Sequence, residues 1–334
     1  MRETSADPSA HLVFGPVPSR RLGRSLGVNS IPHKVCSYSC RYCQVGRTTK
    51  FSVERQSFFA PERILEAVRG RLGELRDRGE RCDYVTLVPD GEPTLAVGLG
   101  RCIRLLKALG TPVAVITNAS LLDRPDVRDD LAAADWVSVK VDAVRERSWR
   151  RLNRPHWRLV LADILEGVRE FRRRFTGRLV TETMLVDGMN DGDEDIDALA
   201  GYLVRLGPAT AYLAVPTRPP ADARVRAASL GSLTRAHELV GTLGQPVELL
   251  TGSEGDAFSA SADPAADLLS ITAVHPMRKT AVEALLARTG TAWSLVERLL
   301  AEGRLAETPF AGESYFLRNF HHERRTEAQT QRGG

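Results

Sequence analysis

Long apolar runs are missing from this sequence. Nowhere do 18 or more apolar residues follow one another, which excludes an ordinary transmembrane helix and any membrane partner built on one. Residues 1–10 lack an apolar signal region, so export is not expected and the protein reads as cytoplasmic. Cysteine is scarce, five in 334 residues, and three of the five fall within positions 36–43. A secreted disulfide framework spreads its cysteines more evenly, through a much smaller domain. Reduced thiols available for a metal fit better. Acid is nearly absent from residues 15–55, which hold eight Lys or Arg and only Glu54, although the whole chain has a net charge of just +4. Such a stretch either attracts an anionic substrate or nucleic acid, or is a solvated basic surface. The remaining composition, 43% hydrophobic and 26% charged, is that of a globular protein with room for one large domain and one small one.

From about residue 60 the apolar pattern alternates between helical and strand periods. Helices are expected at 62–75, 100–109, 127–134, 159–175, 196–206 and 232–243. Strands are expected at 84–88, 113–117, 136–141, 179–186, 211–215 and 247–250, with a first strand near 26–30. This alternation predicts an α/β fold, a partial (β/α)6 TIM-type barrel over residues 14–252. In such barrels chemistry sits in the loops after the strands. That rule gathers 90–94, Asn118, Lys140, 187–191 and 216–220 on one mouth. Residues 1–13 and 321–334 are expected to be disordered and 253–265 to be a linker. Residues 266–320 read as three short helices and a hairpin, the pattern of a small winged helix-turn-helix-like domain.

The segment carrying the chemistry is Val35-Cys36-Ser37-Tyr38-Ser39-Cys40-Arg41-Tyr42-Cys43. Three thiolates on one short loop suit an iron–sulfur cluster or zinc. Three ligands would leave one iron of a cubane open, as a catalytic site needs, whereas structural sites are closed. Zinc with His33 as a fourth ligand is the alternative at this point.

The C-x3-C-x2-C spacing, with an aromatic before the last cysteine, resembles the signature of the radical S-adenosylmethionine (SAM) superfamily. Asp90-Gly91-Glu92-Pro93 is similar to the family's G-G-E-P segment, with Asp90 at the first Gly. The resemblance covers roughly residues 14–250. It implies a [4Fe–4S] cluster on Cys36, Cys40 and Cys43. It also implies a SAM site formed by Tyr42, Asp90, Gly91, Glu92, Pro93, Asn118, Ser138, Lys140 and Thr183. The segments 17–23 and 216–220 look like a subgroup of iron–sulfur oxidoreductases related to the tRNA wyosine synthases. The wyosine reaction itself is not expected, because the cysteines for a second cluster are lacking before Cys36; Cys82 and Cys102 read as core thiols.

The implied function is a radical SAM enzyme. One electron from a flavodoxin- or ferredoxin-type donor cleaves SAM to a 5′-deoxyadenosyl radical, which abstracts hydrogen from a substrate whose identity is open, RNA or nucleotide modification included. Arg20, Arg21, Arg24 and Arg218 are candidates to hold an anionic substrate through their forked donors. The competing reading is a zinc- or redox-cysteine regulator that binds nucleic acid or protein through the C-terminal domain. In that domain the third helix carries Arg298 as its one basic residue beside Glu297 and Glu302, which favours docking or substrate presentation over DNA.

Overall fold

The computed structural model describes residues 12–252 and 263–319, with Gly255, Phe258 and Ser261 between them. Of the segments expected to be disordered, 1–13 and 321–334, all but Leu12 and Val13 lie outside the described residues, as does much of the expected linker; Leu12 is buried and Val13 begins a strand, so these two are ordered.

The elements in chain order are β1 (Val13–Ser19), β2 (Gly23–Val28), β3 (Val35–Cys36), β4 (Lys50–Phe51), α1 (Pro61–Asp77), β5 (Tyr84–Leu87), α2 (Leu99–Lys107), β6 (Val113–Thr117), α3 (Pro125–Leu131), β7 (Trp136–Lys140), α4 (Glu146–Asn153), α5 (Leu161–Arg174), β8 (Arg178–Met184), α6 (Asp193–Leu206), β9 (Thr210–Ala214), α7 (Leu230–Thr242) and β10 (Val247–Leu250). They continue with α8 (Pro264–Val274), β11 (Met277–Arg278), α9 (Lys279–Thr289), α10 (Ser294–Ala301), β12 (Leu305–Phe310) and β13 (Glu313–Arg318). Proline opens α1, α3 and α8, where its missing N–H costs nothing. Gly207 and Gly290 close α6 and α9 in the left-handed conformation.

Eight strands form one sheet in the order β1-β2-β5-β6-β7-β8-β9-β10. The pairs from β2 to β10 are parallel and β1 is antiparallel to β2. Each parallel step crosses over through helix, as parallel strands require. The two faces of the sheet differ. Val85, Val115, Val137, Val139 and Leu179 join the large core with helix residues such as Ile103, Leu106 and Ile164. On the other face Ala114, Trp136, Val180 and Tyr212 pack with Leu22 from the β1–β2 turn and Leu250 from the far edge. One cluster can reach from that turn to β10 only if the sheet is curled. This is an α/β half-barrel, with the β1–β2 turn filling part of its interior.

Five elements go beyond the sequence reading: β1, the two-residue strands β3, β4 and β11, and α4. α4 reads Glu-Arg-Ser-Trp-Arg-Arg-Leu-Asn and buries mainly Trp149 and Leu152 among its larger side chains, too few apolar positions to show a period. After residue 263, α8, α9 and α10 pack with a three-stranded sheet ordered β11-β13-β12 around their own core, which includes Leu268, Val282, Leu285, Val296 and Phe316. Val17 of β1 packs against that core, and Arg71 of α1 lies 3.8 Å from Asp267 of α8.

Candidate active site

The three cysteines sit on the loop that follows β2, at the carboxyl end of the parallel strands. Cys36 ends β3, whose pairing with β4 places Phe51 beside it. Cys43 N–H donates to the Cys40 carbonyl at 3.2 Å, which turns the chain and brings the last two thiols round. Each sulfur meets its own N–H donor: Asn118 Nδ2 reaches Cys36 Sγ at 3.5 Å, Asn153 Nδ2 reaches Cys40 Sγ at 3.4 Å, and Lys34 Nζ reaches Cys43 Sγ at 3.2 Å. Burial pushes the Cys36 thiol up to about 11 and the Cys40 thiol up to about 12. Thiolates there need positive charge to form, and a metal centre would supply it. Lys34 is only 3% exposed. Burial opposes its charge, yet Cys43, Cys36 and Cys40 together raise its pKa on balance.

The second motif is bonded directly to the first. Lys34 N–H donates to the Asp90 carbonyl at 3.0 Å, and Glu92 N–H to the Val35 carbonyl at 3.1 Å. Gly91 lies between these bonds. A Cβ there would stand 2.2 Å from the Val35 carbonyl oxygen and 2.7 Å from Ile31 Cδ1, so only glycine lets the two loops touch. Gly91→Ala is therefore expected to cost about 1–3 kcal/mol and to pry the loops apart. Thermal denaturation together with iron content after reconstitution checks this; an unchanged midpoint and full iron loading would contradict it.

Glu92 is 1% exposed. One oxygen accepts from Thr94 N–H at 3.0 Å, Thr94 Oγ1 at 2.7 Å and Thr117 Oγ1 at 2.6 Å; the other accepts from Asn118 N–H at 2.7 Å. Burial raises its pKa, and these four bonds oppose the rise. The carboxylate thus ties the end of β5 to the end of β6 and presents Asn118 to Cys36. Pro93 opens the short 3-10 turn that follows. Asp90 binds His33, whose Nδ1 lies 2.6 Å from Asp90 Oδ2, so the histidine considered as a zinc ligand is turned to a carboxylate.

Inside the half-barrel lies a chain of charges. Lys140 Nζ is 3.0 Å from Glu182 Oε1 and 3.3 Å from Asp142 Oδ1, and 5.0 Å from the centre of the Tyr42 ring. Arg21 pairs with Glu182 from the other side, and Tyr42 OH donates to Asp142. Asn153 Nδ2 donates to Asp142 Oδ2 at 2.7 Å as well as to Cys40, which links the charge chain to the cysteine loop. Ser138 Oγ is buried on the same face and, among the described residues, has no hydrogen-bond partner. Thr183 faces the other way. It alternates with Glu182 and Met184 along β8, and its Oγ1 donates to the Val141 carbonyl at 2.7 Å.

The four arginines expected to hold substrate separate. Arg21 enters the interior. Arg20 is exposed and donates to the Gly252 carbonyl at 3.0 Å. Arg24 pairs with Glu80 at the opposite end of the sheet from the cysteines. Arg218 donates to Gln44 Oε1 and to His275 Nε2, each at 3.0 Å. Burial, then the Arg218 charge, hold His275 well below the usual histidine range, so it stays neutral and accepts. Gln44 follows Cys43 directly, and its amide donates to the Val274 carbonyl at 2.9 Å. A cavity of about 820 Å³ opens beside Arg218, walled by residues 215–220 and by the C-terminal unit through Met277, Phe310 and Tyr315. Cys102 is buried in α2, and Cys82 lies just before β5 with its thiol on the Tyr84 carbonyl at 3.3 Å; neither joins the site.

Whether these residues suit an iron–sulfur cluster is decided by their donor set. The three sulfurs are soft, and each is served by a separate N–H group, the outer-shell arrangement that tunes such clusters. The residues fit the cluster. A cluster held there would feel the Lys34 ammonium, which lies 3.2 Å from Cys43 Sγ. Lys34→Met is expected to lower the midpoint potential by on the order of 100 mV, the size a unit charge several ångströms away produces at an effective dielectric constant of about 20. An EPR-monitored titration measures it, and an unshifted potential would count against the assignment. The sequence provides no reason to expect Lys34, Asn153 or Glu182 at the site, whereas Asp142 is a salt-bridge partner it offers Lys140, and the two lie 3.3 Å apart. Of the other three only Glu182, an acid inside the apolar run 179–186, left a trace in the sequence.

Comparison with known proteins agrees with this geometry. Residues 30–200 match the Radical SAM superfamily. A UPF0026 protein of Methanocaldococcus jannaschii is 42% identical over 312 residues, covering 92% of this chain and 96% of that one. A UPF0026 protein of Synechocystis is 38% identical over 210 residues, covering 62% and 76%. Among solved structures, a radical SAM methyltransferase from Sphaerobacter thermophilus shares the fold at a TM-score of 0.52 and 18% identity, covering 68% of this chain and 66% of that one. Three cysteines spaced and buttressed in this way, on this half-barrel and with these relatives, leave one conclusion: the chain belongs to the radical SAM superfamily.

Proposed function

We propose that this protein is an iron–sulfur oxidoreductase that carries a [4Fe–4S] cluster on Cys36, Cys40 and Cys43 and acts on an anionic substrate. The observation that carries the reading is the set of three sulfurs, each with its own N–H donor, on a loop hydrogen-bonded to the Glu92 loop. A cluster held by Cys36, Cys40 and Cys43, with SAM bound and one electron supplied by a donor, would supply reductive cleavage of a SAM C–S bond and, through it, hydrogen-atom abstraction from the substrate.

The protein's own part is placement. The main chain of residues 90–93, held by Gly91 and by the buried Glu92 carboxylate, forms the side of the SAM site next to the cysteines. Asn118 bridges that loop to Cys36. Lys140 and Ser138 face the same chamber, and Glu182 and Asp142 fix the Lys140 ammonium by balancing its charge. Tyr42 closes the chamber beneath Lys140.

The cavity beside Arg218 supports a substrate site walled partly by residues 264–319. That unit reads as winged-helix-like: three helices and a three-stranded antiparallel sheet. Arg298 on α10 lies 3.8 Å from Glu302, and α10 buries Leu295, Val296 and Leu299 in its own unit. A helix so occupied suits substrate presentation better than reading a DNA groove. The donor of the electron is a flavodoxin- or ferredoxin-type protein. Among the described residues no helix is long and apolar enough to cross a membrane, and a cytoplasmic setting suits the reduced thiols.

The test is substrate fractionation. Reduced, reconstituted enzyme is given SAM together with small-molecule or RNA fractions from cells lacking the gene. The fraction holding the substrate is expected to raise 5′-deoxyadenosine release. If the active fraction carries neither phosphate nor carboxylate, the anionic assignment falls.

A further inference from the structure

The cavity beside Arg218 opens next to the cysteine loop. Arg218 donates to Gln44, the residue after Cys43, at 3.0 Å. Val225 lines the cavity and belongs to a small apolar cluster against which Tyr42 packs. A molecule seated there borders the chamber that Tyr42 closes. Part of the lining is cationic. Arg218, Arg226 and Arg278 bring guanidiniums, and Glu313 is the one acid among the described lining residues. Glu313 lies 3.6 Å from Arg278 and offsets that charge. His275 is neutral, and its Nε2 already accepts from Arg218. The Tyr315 hydroxyl donates to the Thr217 carbonyl at 3.0 Å.

Positive charge and donors therefore exceed charged acceptors in the described lining. A polyol is best met by several carboxylate or amide acceptors, and a cation by an acid not already balanced. The described lining offers neither. The remaining surface is apolar and stiff. Five lining residues are prolines, whose rings fix the backbone. Phe310 meets Tyr315 edge to face with ring centres 6.1 Å apart, and Met277 adds a polarisable thioether. A volume of about 820 Å³ suits a ligand small enough to be buried over most of its surface.

On the reading that this cavity is the substrate site, we propose that the substrate is a free, metabolite-sized aromatic acid. Its carboxylate or phosphate faces Arg218, whose planar fork fits either anion. Its ring lies against Phe310, Met277 and the proline walls, where burial of apolar surface supplies affinity. Charge selects the acid over its neutral analogue, and the stiff apolar wall selects a flat body over a bare anion.

The experiment uses the full-length protein and ligand-observed NMR with small probes. Benzoate and phenyl phosphate carry ring and charge, benzamide the ring alone, and acetate and inorganic phosphate the charge alone. Benzoate or phenyl phosphate is expected to bind about tenfold or more tightly than any single-feature probe, and the better of the two identifies the anion. Arg218→Gln is expected to bring the aromatic acids down to the level of benzamide. Phe310→Ala is expected to weaken the aromatic acids and benzamide while sparing inorganic phosphate. The wild-type ranking needs no variant, so a misfolded variant leaves the test intact. In reduced, reconstituted enzyme the preferred probe is then expected to suppress the 5′-deoxyadenosine release that a small-molecule cell fraction stimulates. Equal binding of benzamide and benzoate, no binding of any probe, or a bound probe that leaves release undiminished would overturn the proposal. A stimulating fraction that nuclease destroys would also overturn it, yet leave the anionic-substrate reading standing. A stimulating fraction with neither phosphate nor carboxylate would sink that reading and the proposal together.

Discussion

Cys40→Ala is expected to abolish both the brown colour of anaerobically prepared protein and reductive cleavage of SAM. Cys40 is the central thiol of three, and its sulfur lies 3.4 Å from Asn153 Nδ2. Two remaining thiols cannot hold three corners of a cubane. The fold should survive, because the loop is held by main-chain bonds that the substitution leaves alone, including Ser39 and Arg41 N–H to carbonyls of residues 152–154. Circular dichroism should therefore match the wild type while 5′-deoxyadenosine release falls to background. A variant that still binds about four irons per chain and cleaves SAM would remove Cys40 from the ligand set.

Glu92→Leu is expected to strike both stability and cofactor binding. The carboxylate accepts four hydrogen bonds from Thr94, Thr117 and Asn118 in a fully enclosed position. Leucine fills similar space but leaves those donors without acceptors, at about 1–3 kcal/mol for each that finds no replacement. The total should be about 3–5 kcal/mol, since the threonine hydroxyls can rotate toward other acceptors. Asn118 would lose its anchor, and with it the donor to Cys36. Glu92→Gln is the informative companion, because it keeps the acceptor oxygen and should recover most of the stability. Denaturant midpoints and SAM affinity measure the two effects separately. A leucine variant as stable as wild type would show that the four bonds do not organise the loop.

The parts of this site that the sequence reveals are those whose chemistry depends on local spacing. Cys36, Cys40 and Cys43 lie within one turn-rich segment, and Gly91-Glu92-Pro93 follows a strand that its β-branched run makes plain. Residues brought in by tertiary structure left little sign. Lys34 reads as one more member of a basic stretch, and only the fold buries it beside Cys43. Asn153 sits on α4, whose polar composition hides the helix. Thr181 and Thr183 do share a face, as the two-residue period requires, but the curl of the sheet decides which face looks inward. Leu179, packed with the helices, puts both threonines on the outside and Glu182 within. Arg20, Arg21 and Arg24 are neighbours in sequence, yet the β1–β2 turn sends one inward and leaves the others at the rim and at the far end of the sheet.

The most direct test of the whole account is one anaerobic assay on the dithionite-reduced, iron-reconstituted protein with SAM. About four irons per chain, broad absorption near ~400 nm and release of 5′-deoxyadenosine with methionine are expected. A single zinc held by the three cysteines, or a fully loaded cluster that leaves SAM intact, would contradict it.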